Sequence, residues 1–355
     1  MANPAFWRGK KVLLTGHTGF KGAWAARWLS LLGAEVTGVA LAPHTDPSLF
    51  SLARTSETMN SVIADIRDKD RLAEIIENAR PQIILHMAAQ ALVRHSYDEP
   101  LATIETNIMG TANLLEAARN IDTLETILII TSDKVYQNSE HDMPFREEDR
   151  LGGHDPYSMS KAATELVTAS YRASFFADTR VNIATARGGN VIGGGDFSTD
   201  RIVPDIWRAA LDNQTLILRY PEATRPWQHV LDCLNGYFLY IERLSLDKKQ
   251  TMPRSLNFGP TGETPITVSQ LTTIMQEALQ TPLGWQQEKG PVAKEMKTLS
   301  LETGKARIVL DWRDRLPDQK ALEWTAAWYL EFKNGSDMEH FTTQQITDFT
   351  DLEGF

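Results

Sequence analysis

The chain has 355 residues, which suggests about two domains and gives length enough for a substantial buried core. Apolar residues make up 42% and charged residues 23%, an ordinary balance for a soluble globular protein, and no apolar run reaches the roughly 18 residues of a membrane span. The formal net charge of −10 argues against a general nucleic-acid-binding role.

The segment Met1 to Lys11 lacks the basic-then-apolar order of a secretory signal, and the single cysteine, Cys233, leaves no intramolecular disulfide. Both features point to a reducing compartment, the cytoplasm. The chain then alternates strands and helices. Lys11 to Thr15 reads as a buried strand, residues 21–32 as a helix closed by Gly33, and 35–41 as a second strand. Residues 61–65 form a third strand, followed by an amphipathic helix over 69–78, a fourth strand over 82–87 and a helix over 100–119. A strand over 126–131, a helix carrying Tyr157 and Lys161, and a strand over 181–186 complete the run. Such alternation predicts an α/β fold, a Rossmann-type doubly wound parallel sheet with helices on both faces. After Gly188 the texture changes. Glycines at 193–195 and several prolines mark irregular loops, and shorter helices suggest a smaller C-terminal α/β substrate-binding domain. The expected division is 1–188 and 189–355, with a strand near 254–260 returning to the first sheet. The tail from Asn334 is polar and weakly patterned.

The first strand runs into Thr15-Gly16-His17-Thr18-Gly19-Phe20-Lys21-Gly22, with glycines at three-residue intervals. Between a strand and a helix, such glycines permit a tight turn, close approach of backbone to a pyrophosphate, and tight helix-to-sheet packing. The helix N-terminus adds unpaired amide donors for phosphate. A dinucleotide is therefore the expected ligand of Gly16, His17, Thr18, Gly19, Phe20, Lys21 and Gly22. An NAD site ordinarily has an acid about twenty residues on, to hold the ribose 2′-hydroxyl. Here Val39-Ala40-Leu41-Ala42-Pro43-His44 offers neither an acid nor an arginine. NAD is favoured, held loosely enough that purified protein should be incompletely loaded. Asp65 and Ile66 are candidates to meet the adenine, and the small Ala88 and Ala89 let the backbone approach the cofactor.

Tyr157-Ser158-Met159-Ser160-Lys161 places a tyrosine and a lysine on one face of a helix. A phenol with a pKa of about 10 is a poor base. An ammonium about 4 Å away, at an effective dielectric of about 20, favours the phenolate by roughly 4 kcal/mol, or about three pKa units. Tyr157 can then take a proton from a sugar hydroxyl as a hydride leaves the same carbon. Alone the pattern is weak, because helix surfaces carry such pairs by chance. Thr131-Ser132-Asp133-Lys134-Val135-Tyr136 strengthens it. Ser132 offers a hydroxyl to hold the same oxygen, and Asp133 and Lys134 add two acid/base groups. Arg187, Arg201, Arg219 and Arg225 fall within a short span. They suit either a diphosphate grip or a solvated face, and spacing does not choose between them.

The glycine loop, His86-Met87-Ala88-Ala89-Gln90, Thr106-Asn107-Ile108-Met109-Gly110-Thr111, the Ser132 segment and Tyr157-x-x-x-Lys161 together resemble the extended short-chain dehydrogenase/reductase family, over nearly the whole chain. Asp133 directly after the serine is similar to the nucleotide-sugar 4,6-dehydratases. Ser132 to Tyr136, with Arg187-Gly188-Gly189-Asn190-Val191-Ile192-Gly193-Gly194-Gly195-Asp196, resembles those that act on CDP-glucose. The resemblance implies NAD-dependent oxidation at sugar carbon 4, loss of water across carbons 5 and 6, and hydride return to carbon 6, giving a 4-keto-6-deoxy sugar nucleotide. It implies Ser132, Asp133, Lys134, Tyr157 and Lys161 as catalytic residues, with Asn107, Tyr157 and Lys161 also at the cofactor. Gln90, Arg94, Asn190, Arg201, Arg219 and Arg225 would meet the substrate, and no metal is implied. Most such dehydratases have a glutamate where this chain has Lys134. The hypothesis is that Asp133 is the acid and Lys134 the base at carbon 5, the rival being that Lys134 tunes Asp133. Trp227 and His229 read more readily as a packed aromatic and a core imidazole. Small and apolar residues on the 100–119 helix and on the Tyr157 helix imply a homodimer through a four-helix bundle, or a higher oligomer. Two other readings share the fold: a nucleotide-sugar 4-epimerase, which needs no pair for water loss, and a non-catalytic dinucleotide sensor.

Overall fold

A computed structural model describes residues 1–137, 143–260, 266–289 and 299–352. Alternating apolar side chains along the central strands decide its layers. The strands are β1 (Lys11–Thr15), β2 (Glu35–Ala40), β3 (Asn60–Ile63), β4 (Ile83–His86), β5 (Thr126–Ile130), β6 (Asn182–Gly188), β7 (Asn190–Ile192), β8 (Leu216–Leu218), β9 (Trp227–His229), β10 (Ser255–Phe258) and β11 (Trp285–Gln287). Seven of them form one sheet in the order β10-β6-β5-β4-β1-β2-β3, every pair parallel. This is the expected doubly wound sheet. Its order reverses between β1 and β4, which opens a crevice where the glycine loop leaves β1.

Val12 and Leu14 of β1, Ile83 and Leu85 of β4, and Leu128 and Ile130 of β5 face one core. Leu13, Ile84, Ile127 and Ile129 face the other. The first core is closed by Trp24 and Trp28 from the helix Phe20–Leu31 and by the helix Val230–Leu246. The second is closed by the helices Lys69–Ala79, Gly110–Ala118 and Pro156–Phe175.

Two regions differ from the sequence expectation. The helix over 100–119 is interrupted: Pro100–Ile104 and Gly110–Ala118 flank a π-helical turn, Glu105–Met109. Such turns widen a helix locally and often mark functional sites. The polar tail carries a helix, Met338–Asp351, that buries Met338, Ile346 and Phe349. It docks on the glycine-loop helix, with Phe349 edge-on to Trp28 at 5.6 Å and Arg27 paired to Glu339 at 2.8 Å.

Beyond Gly188 the chain builds two small parallel pairs, β7–β9 and β8–β11, and between β9 and β11 it returns β10 to β6. Among the described residues no helix is long and apolar enough to cross a membrane.

Candidate active site

The glycine loop is shaped by what a side chain would hit. Gly16 has φ +78°, and a Cβ there would lie 2.8 Å from the Ala88 nitrogen. A Cβ on Gly22 would lie 2.0 Å from the Gly16 carbonyl oxygen. The helix Phe20–Leu31 therefore starts hard against the β1–β4 crevice. Its N-cap, Gly19, supplies no side chain to occupy the first-turn amides, so these remain available to phosphate. Thr18 Oγ1 donates to the Leu41 carbonyl at 2.8 Å. A dinucleotide diphosphate fits this cradle. His17 turns inward, with Nε2 2.7 Å from Ser61 Oγ, and burial lowers its pKa to about 4. Asp65 pairs with Arg67 at 2.6 Å, and Ile66 is buried against Gly110.

A second network ties this loop to the π turn. Thr15 Oγ1 accepts from the Met87 and Ala88 amides, both at 3.0 Å. Its own proton must then go to His86 Nδ1, 2.7 Å away. That fixes the His86 tautomer: Nε2–H donates to Thr111 Oγ1 at 3.1 Å, and Thr111 donates to the Asn107 carbonyl at 2.7 Å. Every proton is used, and buried His86 stays neutral with its pKa lowered to about 3. Asn107, inside the π turn, accepts from the Gln90 amide at 2.8 Å. It donates to the Gln90 carbonyl at 3.0 Å and to Ser160 Oγ at 2.8 Å. The Gln90 side chain is itself engaged by Thr103 and Leu92. Thr15, Thr111 and Ser160 were not singled out from sequence, because threonines and serines of this kind have no local signature.

The catalytic candidates converge at the C-terminal end of β5. Ser132 caps the 3-10 turn Asp133–Val135, its Oγ accepting from the Lys134 amide at 3.2 Å. Ser132 Oγ donates to Asp133 Oδ1 at 2.9 Å, and Ser132 also shares a hydrogen bond with the Tyr157 hydroxyl. Asp133 is 2% exposed, and its Oδ2 has no hydrogen-bond partner among the described residues. A lone buried carboxyl oxygen is costly unless it meets a hydrogen-bond partner. Lys134 is half-buried on the same turn. Tyr157 lies in the first turn of the helix Pro156–Phe175, capped by Asp155, and Lys161 follows one turn later.

The electrostatics differ from the sequence expectation. Burial pushes the Tyr157 phenol up to about 12, Ser132 opposing and Asp133 reinforcing the shift. Burial likewise pulls Lys161 down to about 7, helped by the Lys21 ammonium. Lys161 Nζ donates to the Ile130 carbonyl at 3.1 Å. Spacing places the two groups on one face, but desolvation disfavours both charged forms.

The arginines separate into distinct roles. Arg187 is structural: it forms a buried two-point pair with Glu165 at 2.9 Å and donates to the Tyr136 hydroxyl and the Glu147 carbonyl. Glu165 also accepts from Thr131 and Thr185. Arg201 pairs with Asp196 at 3.0 Å, and exposed Arg94 with Asp200 at 2.6 Å. Arg225 is buried beside Pro226, its Nη1 donating to the Thr224 carbonyl at 2.7 Å, while Arg219 is half-buried after β8. Asn190 opens β7, opposite Trp227. His229 is a core imidazole, its Nδ1 accepting from the Leu231 amide at 3.3 Å. A separate cleft of about 670 Å³, lined by Lys11, Glu35, Met59 and Arg71, lies at the opposite, N-terminal ends of β1 to β3.

Residues 13–317 match the model of the GDP-mannose 4,6 dehydratase family, most of the chain's length. The chain belongs to that family. Within it, the chain is 40% identical to the CDP-glucose 4,6-dehydratase of Salmonella typhimurium, covering 98% of each chain. It is 34% identical to a probable UDP-glucuronate 4-epimerase of Rhizobium meliloti over 45% of this chain and 48% of that one. Among solved structures, the epimerase Mth375 of Methanothermobacter thermautotrophicus superposes with a TM-score of 0.79 at 24% identity, covering 93% of this chain and 95% of that one. The UDP-glucuronic acid 4-epimerase of Bacillus cereus, solved with UDP-glucuronic acid and NAD, gives 0.76 at 20% identity, covering 90% and 99%. These likenesses establish the fold. Asp133 is held through Oδ1 by Ser132, which in turn meets Tyr157, while its Oδ2 has no partner among the described residues.

Proposed function

We propose that the chain is an NAD-dependent CDP-glucose 4,6-dehydratase, a hydro-lyase that forms CDP-4-keto-6-deoxy-D-glucose. The observation that carries this reading is the buried Asp133 carboxyl with one oxygen unpartnered, beside Ser132 and Tyr157. An epimerase needs the serine, tyrosine and lysine but no such group. Full-length identity to the Salmonella typhimurium enzyme supports the choice of CDP-glucose.

NAD, when bound, supplies reversible hydride acceptance between carbons 4 and 6. Gly16, His17, Thr18, Gly19, Phe20, Lys21 and Gly22 hold its diphosphate through backbone amides. Asp65, Ile66, Ala88, Ala89 and Asn107 flank it. Tyr157 takes the proton of the carbon 4 hydroxyl while Ser132 holds that oxygen, and Lys161 favours the phenolate. With carbon 4 a ketone, the proton on carbon 5 becomes acidic. Lys134 removes it, and Asp133 gives its proton to the departing carbon 6 hydroxyl, so that water leaves. Gln90, Arg94, Asn190, Arg201, Arg219 and Arg225 hold the sugar and the nucleotide diphosphate.

Assembly through the Pro100–Ile104, Gly110–Ala118 and Pro156–Phe175 helices belongs to the same reading. Leu101, Leu166 and Phe175 on these helices, and Met109 on the π turn between the first two, are large apolar residues exposed to solvent, which supports a dimer face. A single-chain mass by light scattering would overturn that part. A cytoplasmic location accords with the lone reduced, buried Cys233.

Mass spectrometry of products tests the activity. The protein is incubated with NAD and CDP-glucose, with dTDP-, UDP- and GDP-linked hexoses in parallel. Loss of one water from the CDP sugar alone is the expected result. Loss of water from another nucleotide sugar would keep the chemistry and overturn the substrate. Unchanged mass throughout would overturn the dehydratase.

A further inference from the structure

Gly189 joins β6 to β7, and its φ lies outside the left-handed region. No turn therefore requires a glycine there; space does. A Cβ on Gly189 would lie 2.8 Å from Pro226 Cγ, 3.3 Å from the Pro226 carbonyl oxygen and 3.5 Å from Asp133 Oδ2. A ring atom and a backbone oxygen cannot swing aside as the end of a flexible side chain can. The preceding residue is crowded as well, since a Cβ on Gly188 would lie 2.6 Å from the hydroxyl oxygen of buried Tyr237. The strand register explains the contact: Asn190 pairs with Trp227, which sets Gly189 opposite Pro226 one residue earlier. The pyrrolidine ring thus rests on the bare Cα of Gly189. Bordering the same small space is the one Asp133 oxygen that has no hydrogen-bond partner among the described residues.

We propose that Gly189 and Pro226 are positioning residues for Asp133: the ring seated on the glycine closes one flank of Oδ2 to water and reserves that oxygen for the carbon 6 hydroxyl of the bound sugar. The inference rests on the dehydratase reading above. Oδ1 is already taken by the Ser132 hydroxyl, so Oδ2 is the oxygen with capacity left for substrate. Proline has no backbone N–H, and its ring presents only carbon, so it offers Oδ2 no competing donor. The same contact lies between two residues assigned above to the substrate. Asn190 directly follows Gly189, and Arg225 directly precedes Pro226. One packed joint therefore fixes the acid and the diphosphate grip relative to each other. A methyl at position 189 would push the ring away and lie against Oδ2. Loss of the ring would let water hydrogen-bond that oxygen in place of the sugar. Either change slows the loss of water and spares the oxidation at carbon 4, which Tyr157 and Ser132 serve.

Rapid mixing of the full-length protein and NAD with CDP-glucose separates the two stages. The absorbance of reduced nicotinamide rises on oxidation at carbon 4 and decays once water has been lost. Gly189→Ala and Pro226→Ala should each keep the native rise and slow the decay about tenfold or more, a part of what a placed general acid contributes. Combining them gives the new methyl the space the ring has left, and the double variant should decay within about threefold of the native rate. A general packing fault would do the reverse and make the double variant the slowest. Decay at the native rate in either single variant, rise and decay slowed alike, or a double variant no faster than the single ones would overturn the inference and leave the dehydratase reading intact. Should Gly189→Ala not fold, the decay in Pro226→Ala alone decides. A native protein that forms neither reduced nicotinamide nor dehydrated product would overturn both.

Discussion

Lys134 and Glu165 show how residue type and environment divide the work. If Lys134 is the base at carbon 5, Lys134→Ala should stop solvent deuterium entering that carbon while oxidation at carbon 4 persists. Deuterium incorporation at the native rate, read by mass spectrometry, would show that the lysine only tunes Asp133. Glu165 lies outside the chemistry, yet its two oxygens gather Arg187, Thr131 and Thr185. Glu165→Gln leaves the Arg187 charge buried without its partner, and should cost about 3–5 kcal/mol in denaturant unfolding. A local turn and a helical repeat bring Ser132, Asp133, Tyr157 and Lys161 into two short stretches of sequence. The burial that raises the Tyr157 phenol and lowers Lys161 has no such local signature, because it comes from the folded surroundings. Arg187 takes neither of the roles its spacing allows, a diphosphate grip or a solvated face, because Glu165 pairs with it inside the fold.

Elements follow a similar division. Strong alternation and glycine punctuation marked the central strands to within a residue or two, the usual uncertainty of element ends. The π turn at Glu105–Met109 left no trace in the periodicity, because one added residue per turn shifts a helical pattern no more than ordinary irregularity does. The helix Met338–Asp351 is not apparent in sequence because its buried face is sparse and its partner, the glycine-loop helix Phe20–Leu31, lies more than 300 residues earlier. Its apolar anchor is Phe349, fully buried against Trp28. Phe349→Ala should lower stability by about 3–5 kcal/mol. A midpoint in urea equal to that of the native protein would show that the tail contributes no packing.

At the scale of the whole molecule, buried imidazoles set an acid limit. Burial lowers His17 to about 4, and His86 and His229 to about 3. Below about pH 6.5 the unfolded chain binds protons that these sites refuse, so each costs up to about 1.4 kcal/mol of stability per pH unit. Asp232 works the other way. Burial raises its pKa to about 7, so the folded chain gains stability relative to the unfolded one as pH falls from 7 towards the ordinary carboxylate range. Three imidazoles less one carboxyl leave these four groups a loss of roughly two protons' worth over pH 6.5 to 4, and urea midpoints should fall across that window. A flat profile would mean that the imidazoles open to water before the molecule unfolds. The return of β10 to the edge of β6 has a different kind of consequence. The strand arrives only after residue 254, so during synthesis the β6 backbone stands as an open template until most of the polypeptide has been made. The sheet that carries the glycine loop is thus sealed by a strand that arrives after β7, β8 and β9. A truncated product ending before that segment would offer a bare edge to other chains, and cellular proteases would find it unfinished.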